Sequence, residues 1–365
     1  MNSQFPFDRA QPGVRELQPY QPGKPAEELE RELGISGAVK LASNENPRGC
    51  SPAVLSAIRE YSDIGLYPDA NGFSLKQALS RQLGVEPEQI TLGNGSNDVL
   101  DLLARVFVGP GDDVVFSEHA FLVYALVTRA VGGNAVVTPA SDWGHDLLAM
   151  SKALTSRTKL VFIANPNNPT GTYSPAAQLE QFLAEVPRKI VVVIDEAYFE
   201  YVSADDYPNA LHWCTRFPNL VVTRTFSKIH GLAGVRIGFG VASKEITDLL
   251  NRVRQPFNVN ALALVAAEAA LNDAEHAVRC ARDNEEQRAR LARFCVERGL
   301  DYIPSVANFL TVAFGDRAGE INNKLLHKGV IVRPLENYGM PHHLRITIGR
   351  DKEMDRLFDT LASFL

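Results

Sequence analysis

The 365-residue sequence predicts an α/β fold: a large domain whose mostly parallel sheet is sandwiched by helices, with a smaller α+β domain beside it. Three observations carry this. Helical patterns alternate with short apolar runs through the middle of the chain, the signature of a covered parallel sheet. Several of those runs end in polar turns fixed by proline or glycine, where open sheets of this kind place their ligands. The C-terminal part then gives strands around a single helix, the order of a small α+β unit. With 45% apolar residues the chain can fill both cores.

Taken in order, the residues up to about 25 are rich in Pro and Gln and read as an extended arm. A short helix fits 25–34, and Val39-Lys40-Leu41-Ala42 reads as a strand entering the turn Ser43-Asn44-Glu45-Asn46-Pro47. Helices are predicted at 52–61, 74–83 and 96–108, and strands at 113–116, 134–137, 159–164, 190–194, 220–225 and 238–241. A long helical region, 261–298, has a break at Asn272-Asp273, stops at Gly299 and bridges two lobes. Strand-like runs at 309–314, 330–334 and 344–348 surround a helix at 317–328, and a terminal helix follows. The expected division is an arm with part of the small domain at 1–47, a large cofactor-binding domain at 48–255, and an inter-domain helix with the small domain at 256–365.

A net charge of −6 without basic blocks leaves no footprint for nucleic acid or an anionic membrane. The cluster from Arg288 to Arg293 reads as a solvated helix face. The N-terminus lacks a charged start before an apolar core, and no apolar stretch reaches bilayer length, so a cytoplasmic location is expected. Cys50, Cys214, Cys280 and Cys295 form no C-x-x-C pair, which argues against zinc or a disulfide framework; they read as reduced thiols, and no metal site is expected.

The chemistry concentrates in Thr225-Phe226-Ser227-Lys228-Ile229-His230-Gly231-Leu232-Ala233-Gly234-Val235-Arg236. A lysine amine can form an imine with an aldehyde cofactor, and the flanking hydroxyls and guanidinium suit that cofactor's phosphate, which points to pyridoxal phosphate. Val191-Val192-Val193-Ile194 delivers Asp195 at a strand end, followed by Glu196-Ala197-Tyr198. A second strand runs into Asn165-Pro166-Asn167-Asn168-Pro169-Thr170-Gly171. Gly93-Asn94-Gly95-Ser96-Asn97-Asp98 turns from a strand into a helix whose N–H groups can receive a phosphate. Glu196 points away from Asp195, because adjacent strand residues alternate.

These residues resemble fold type I pyridoxal-phosphate aminotransferases and, within them, the histidinol-phosphate aminotransferases. The likeness runs from Leu17-Gln18-Pro19-Tyr20 to Leu344-Arg345-Ile346-Thr347-Ile348-Gly349 and includes Leu41 to Pro47, Tyr67-Pro68-Asp69 and Gly329-Val330-Ile331-Val332-Arg333. The resemblance implies a seven-stranded sheet. It places Asp195 at the pyridine nitrogen, Tyr198 and Asn168 at the phenolic oxygen, and Lys228 as both tether and proton carrier. Ser96, Asn97, Thr225, Ser227 and Arg236 would cradle the phosphate, and Phe121 would stack on the ring unless it is a simple core residue. Tyr67 would reach the phosphate of a neighbouring subunit in a homodimer with active sites at the interface, or else lie within its own subunit. Arg345, Arg333 and Tyr20 are the candidates for a substrate phosphate, with Arg345 also taking the carboxylate of glutamate or 2-oxoglutarate. Asn44 either lines the pocket near the substrate imidazole or stabilises its turn. His342 and His343 read as solvated loop residues.

The expected reaction is amino transfer between L-histidinol phosphate with 2-oxoglutarate and 3-(imidazol-4-yl)-2-oxopropyl phosphate with glutamate, in histidine biosynthesis. An aromatic or broad-specificity aminotransferase and a phosphothreonine-decarboxylase-like enzyme are the alternatives. A ligand-sensing regulator on the same fold is disfavoured, since the sequence shows no helix-turn-helix segment or basic linker.

Overall fold

The computed structural model describes residues 6–19 and 23–365. Its main sheet has seven strands: β1 (Ile90–Gly93), β2 (Asp113–Ser117), β3 (Asn134–Thr138), β4 (Thr158–Ala164), β5 (Val191–Asp195), β6 (Leu220–Thr225) and β7 (Gly238–Val241). They lie in the order β1-β7-β6-β5-β4-β2-β3. All pairs from β3 to β6 are parallel, and β7 runs antiparallel to both its neighbours. The continuous Val/Ile runs are explained by cover on both faces. Alternate residues of β4 and β5 feed two separate cores: Val161, Ile163, Val192 and Ile194 on one side, Leu160, Phe162, Val191 and Val193 on the other.

Four further strands make the small sheet: β8 (Tyr302–Ile303), β9 (Phe309–Ala313), β10 (Arg333–Pro334) and β11 (His343–Thr347), antiparallel in the order β8-β9-β11-β10. The helices Ala274–Glu297 and Asp351–Ala362 close its core with Leu291, Cys295, Met354 and Leu357. The expected break in the long helix falls between Leu271 and Ala274, where Asp273 caps the second segment by accepting from the His276 N–H.

Four expectations need correction. The strand expected at 330–334 is two: Val330–Ile331 pairs in parallel with Val39–Lys40, whereas Arg333–Pro334 pairs with β11. That pairing puts the segment before Ser43 in the small lobe. The arm is not simply extended. It contains helical turns at Phe7–Arg9 and Pro12–Arg15, and Gly13 lies so close to the chain at Arg129 that an added Cβ would stand 2.2 Å from the Arg129 carbonyl oxygen. The cluster at 288–293 is only partly solvated, because Arg288 donates to the Ala307 carbonyl and Arg290 pairs with Asp355. His343 begins β11 half-buried against the Trp143 ring, while His342 is exposed. Among the described residues no helix is long and apolar enough to cross a membrane, and no group of His, Cys, Asp and Glu could hold a metal ion.

Candidate active site

A cavity of about 190 Å³ opens at the carboxyl ends of β4, β5 and β6, roofed by the small lobe. Strand register brings its groups together: Ala164 is paired with Asp195, Asp195 with Thr223, and Gly238 with Thr225. Asn44, Ser96, Asn97, Phe121, Asn168, Asp195, Tyr198, Thr225, Ser227, Lys228, Arg236, Arg333 and Arg345 all line it. Tyr67 does not; it is 82% exposed and stacks on Phe257 at 4.6 Å between ring centroids. Tyr20 lies outside the described residues.

Asp195 closes the back of the cavity. Its two carboxylate oxygens accept from Tyr124 Oη at 3.0 Å and Thr223 Oγ1 at 2.9 Å. Burial pushes this carboxyl above its ordinary range, against the opposing pull of those two donors and of the Lys228 cation. A buried acceptor in that condition gains from a cationic N–H placed before it. Sequence reasoning missed both supports. Thr223 was signalled by strand alternation, two residues before Thr225, and Tyr124 by its position one helical turn after Phe121, whose ring it meets edge-on at 5.8 Å. Glu196 faces the other way and pairs with buried Arg224.

Lys228 stands between this carboxylate and the small lobe. Its Nζ donates to the Ser43 carbonyl at 3.4 Å and lies 5.6 Å from the Tyr198 ring centroid. Burial, with Arg345 and Arg236 nearby, brings its ammonium down to about 8, although Glu45 and Asp195 oppose the shift. An amine attacks an aldehyde only when unprotonated. Below that value the neutral fraction grows with pH, so capture of pyridoxal phosphate by the apoprotein should quicken roughly tenfold per pH unit and level off above about 8. Absorbance after rapid mixing checks this; a rise continuing to about pH 10 would indicate an ordinary lysine.

A second end of the cavity is a phosphate-sized cradle. The helix Ser96–Phe107 starts at Gly95, whose φ of 85° favours glycine, and a Cβ there would stand 2.3 Å from Arg236 Nη2. A Cβ on Gly238 would fall 2.3 Å from the Ser96 N, so both glycines are required for close approach. Arg236 Nη1 donates to Ser227 Oγ at 3.3 Å, and the Ser227 N–H donates to Thr225 Oγ1 at 3.1 Å. A helix N-terminus, hydroxyls and a guanidinium thus face one space, which fits a phosphate.

At the third end the small sheet sets Arg333 directly opposite Arg345 across β10 and β11. Both are buried. Arg345 donates to Asn168 Oδ1 and, at 2.8 Å, to the Ala42 carbonyl, while its buried Nε has no partner among the described residues. Tyr338 also lines this end; no sequence pattern marked it. Burial holds the Tyr198 phenol up at about 12, so it stays a proton donor at neutral pH.

A lysine amine, an opposed buried carboxylate and a helix-end phosphate cradle, at the strand ends of such a sheet, define an enzyme built for pyridoxal phosphate, and the residues present fit that group. The family described as aminotransferase class I and II matches residues 36–361, and the chain belongs to it. The chain is 55% identical over 359 residues to histidinol-phosphate aminotransferase 2 of Pseudomonas fluorescens, covering 98% of this chain and 97% of that protein. Among solved structures it is similar to histidinol-phosphate aminotransferase from Sinorhizobium meliloti in complex with pyridoxal-5'-phosphate, with a TM-score of 0.88, 31% identity and full coverage of both chains. L-threonine-O-3-phosphate decarboxylase from Porphyromonas gingivalis shares the fold, with a TM-score of 0.79, 21% identity and coverage of 89% of this chain and 99% of that one. The architecture is that of fold type I.

Proposed function

We propose that this chain is a pyridoxal-phosphate-dependent histidinol-phosphate aminotransferase of histidine biosynthesis. It would interconvert L-histidinol phosphate with 2-oxoglutarate and 3-(imidazol-4-yl)-2-oxopropyl phosphate with glutamate. The observation that carries the substrate reading is the cross-strand pair Arg333 and Arg345, two buried guanidinium groups at the end of the cavity away from the phosphate cradle. A phosphate ester offers oxygens to both forks, whereas an aromatic amino acid brings only its alpha-carboxylate, which a single fork satisfies.

Pyridoxal phosphate, once bound, supplies an aldehyde for an amine and a ring that accepts the electron pair left when an alpha carbon loses its proton. The chain supplies the rest. Ser96, Asn97, Thr225, Ser227 and Arg236 would hold the phosphate, and Phe121, which lines the same cavity, would lie against the cofactor ring. Asp195, fixed by Tyr124 and Thr223, keeps a proton on the ring nitrogen. Tyr198 and Asn168 would donate to the phenolic oxygen. Lys228 would hold the cofactor's aldehyde carbon at rest, and its free amine would be the base that takes the substrate's alpha proton. Arg345 serves both half-reactions, since glutamate brings a carboxylate where histidinol phosphate brings a phosphate.

A division into two lobes is supported by the separate core of the small sheet, which takes Leu41 and residues from Leu291 onward. Val259, Ala263, Ala266 and Ala270 instead pack in the core of the large sheet, so the helix Ala261–Leu271 goes with the large lobe rather than with 256–365. A homodimer, with Tyr67 reaching the partner's phosphate cradle, is supported by the exposure of Ile64, Leu66, Tyr67 and Phe73 in one segment. A cytoplasmic location suits four free cysteines.

The test is a parallel assay. Histidinol phosphate, phenylalanine and phosphothreonine are each added to the yellow holoprotein, and loss of the cofactor band and release of carbon dioxide are followed. Histidinol phosphate should discharge the band at a kcat/KM at least about tenfold above that of phenylalanine, and phosphothreonine should release no carbon dioxide. A preference for phenylalanine, or carbon dioxide from phosphothreonine, would overturn the substrate assignment.

A further inference from the structure

Asn44 occupies an unusual position. It is 1% exposed, its φ is 55°, and it lies in the turn that leads from the small lobe into the cavity. Each of its polar groups is engaged. Its backbone N–H donates to Thr347 Oγ1 at 2.9 Å, and the same hydroxyl donates back to Asn44 Oδ1 at 3.0 Å. Its carbonyl accepts from Asn308 Nδ2 at 2.9 Å. The remaining group, Nδ2, donates to Tyr198 Oη at 2.9 Å.

The network fixes which way the amide points. Thr347 Oγ1 receives the backbone N–H, so its own proton goes to Oδ1, and the NH₂ is left to face the phenol. A phenol that accepts along one lone-pair direction has its O–H turned elsewhere, and no protein acceptor takes that proton among the described residues. The phenol must then donate into the cavity that it lines.

We propose that Asn44 is a positioning residue that aims the Tyr198 hydroxyl proton at the cofactor's phenolic oxygen, with Thr347 and Asn308 of the small lobe holding it in place. This rests on the cofactor placement proposed above. It gives Asn44 a role distinct from contact with a substrate imidazole. It also ties the acidity of the cofactor–lysine linkage to the small lobe, since Asn308 immediately precedes β9 and Thr347 ends β11.

The readout is the pH midpoint of the yellow band in holoprotein without substrate. A donor at the phenolic oxygen favours the deprotonated linkage, so Tyr198→Phe should raise the midpoint. Asn44→Gly deletes the amide without straining a positive φ, and should raise it by about half a unit to one unit, the size expected for one hydrogen bond. Thr347→Val keeps Asn44 but frees its amide to rotate, and should shift the midpoint the same way by a smaller amount. In the Tyr198→Phe background, Asn44→Gly should add less than ~0.2 unit, because both act through one proton. A wild-type midpoint kept by both Asn44→Gly and Thr347→Val, or an Asn44→Gly shift that persists in full beside Tyr198→Phe, would overturn the role of Asn44. Failure of the cofactor placement looks different: Tyr198→Phe itself would then leave the midpoint at its wild-type value.

Discussion

Lys228→Ala should abolish turnover, lowering kcat by at least about 10⁴-fold, because one side chain serves as tether and as base. Positioned general bases alone contribute roughly 10² to 10⁴, and loss of the covalent attachment removes more. Among the described residues the amine donates to a backbone carbonyl and stands over the Tyr198 ring, with no salt bridge to lose, so the fold should survive the substitution. Circular dichroism would verify that. Weak cofactor binding should remain, since the cradle of Ser96, Thr225, Ser227 and Arg236 is untouched. Two measurements check the assignment. Borohydride treatment followed by peptide mapping should attach the cofactor to the Lys228 peptide in the wild type and to no peptide in the variant. Turnover of histidinol phosphate should fall to background. Labelling of another lysine, or a variant with more than about one per cent of wild-type turnover, would refute this role for Lys228.

Arg345→Ala should damage both half-reactions, because each substrate presents an anion to the same guanidinium. A hydrogen bond to a charged group contributes about 1.5–3 kcal/mol, so losing a forked contact of two should lower kcat/KM by roughly 10² to 10⁴-fold for histidinol phosphate and for glutamate alike. Arg345→Lys keeps the charge without the fork and should recover only part of the loss. The residue also bonds Asn168 and the Ala42 carbonyl, so a thermal melt must accompany the kinetics. If glutamate use were spared while histidinol phosphate use fell, the shared-pocket assignment would be wrong and Arg333 would be the specific phosphate ligand.

The neighbours of Lys228 were legible because the chemistry is local. A lysine flanked by hydroxyls with an arginine eight residues on, a carboxylate closing a Val/Ile run, and a glycine-rich turn entering a helix each lie within one short segment. The order of strands and helices was equally plain, since covered strands read as unbroken apolar runs. Other features left a trace too faint to single out. Tyr124 and Thr223 have the right spacing from Phe121 and Thr225, but a buried tyrosine or threonine is ordinary until its partner is seen. The arm illustrates the opposite error, where proline content suggested extension and contact with the chain at Arg129 imposed helical turns.

The sequence by itself therefore determined the fold class, the order of elements, the lysine, the carboxylate and the phosphate-binding turn, because each is encoded in residues close along the chain. Only the tertiary structure decided that Arg333 stands opposite Arg345, that Asn44 turns its amide toward Tyr198, and that Tyr67 stays outside its own chain's cavity. Those facts depend on strand register and on the packing of one lobe against another, which join residues as many as 303 positions apart. No local propensity specifies such a contact; it arises when two cores are buried together and the backbone between them has no other place to go.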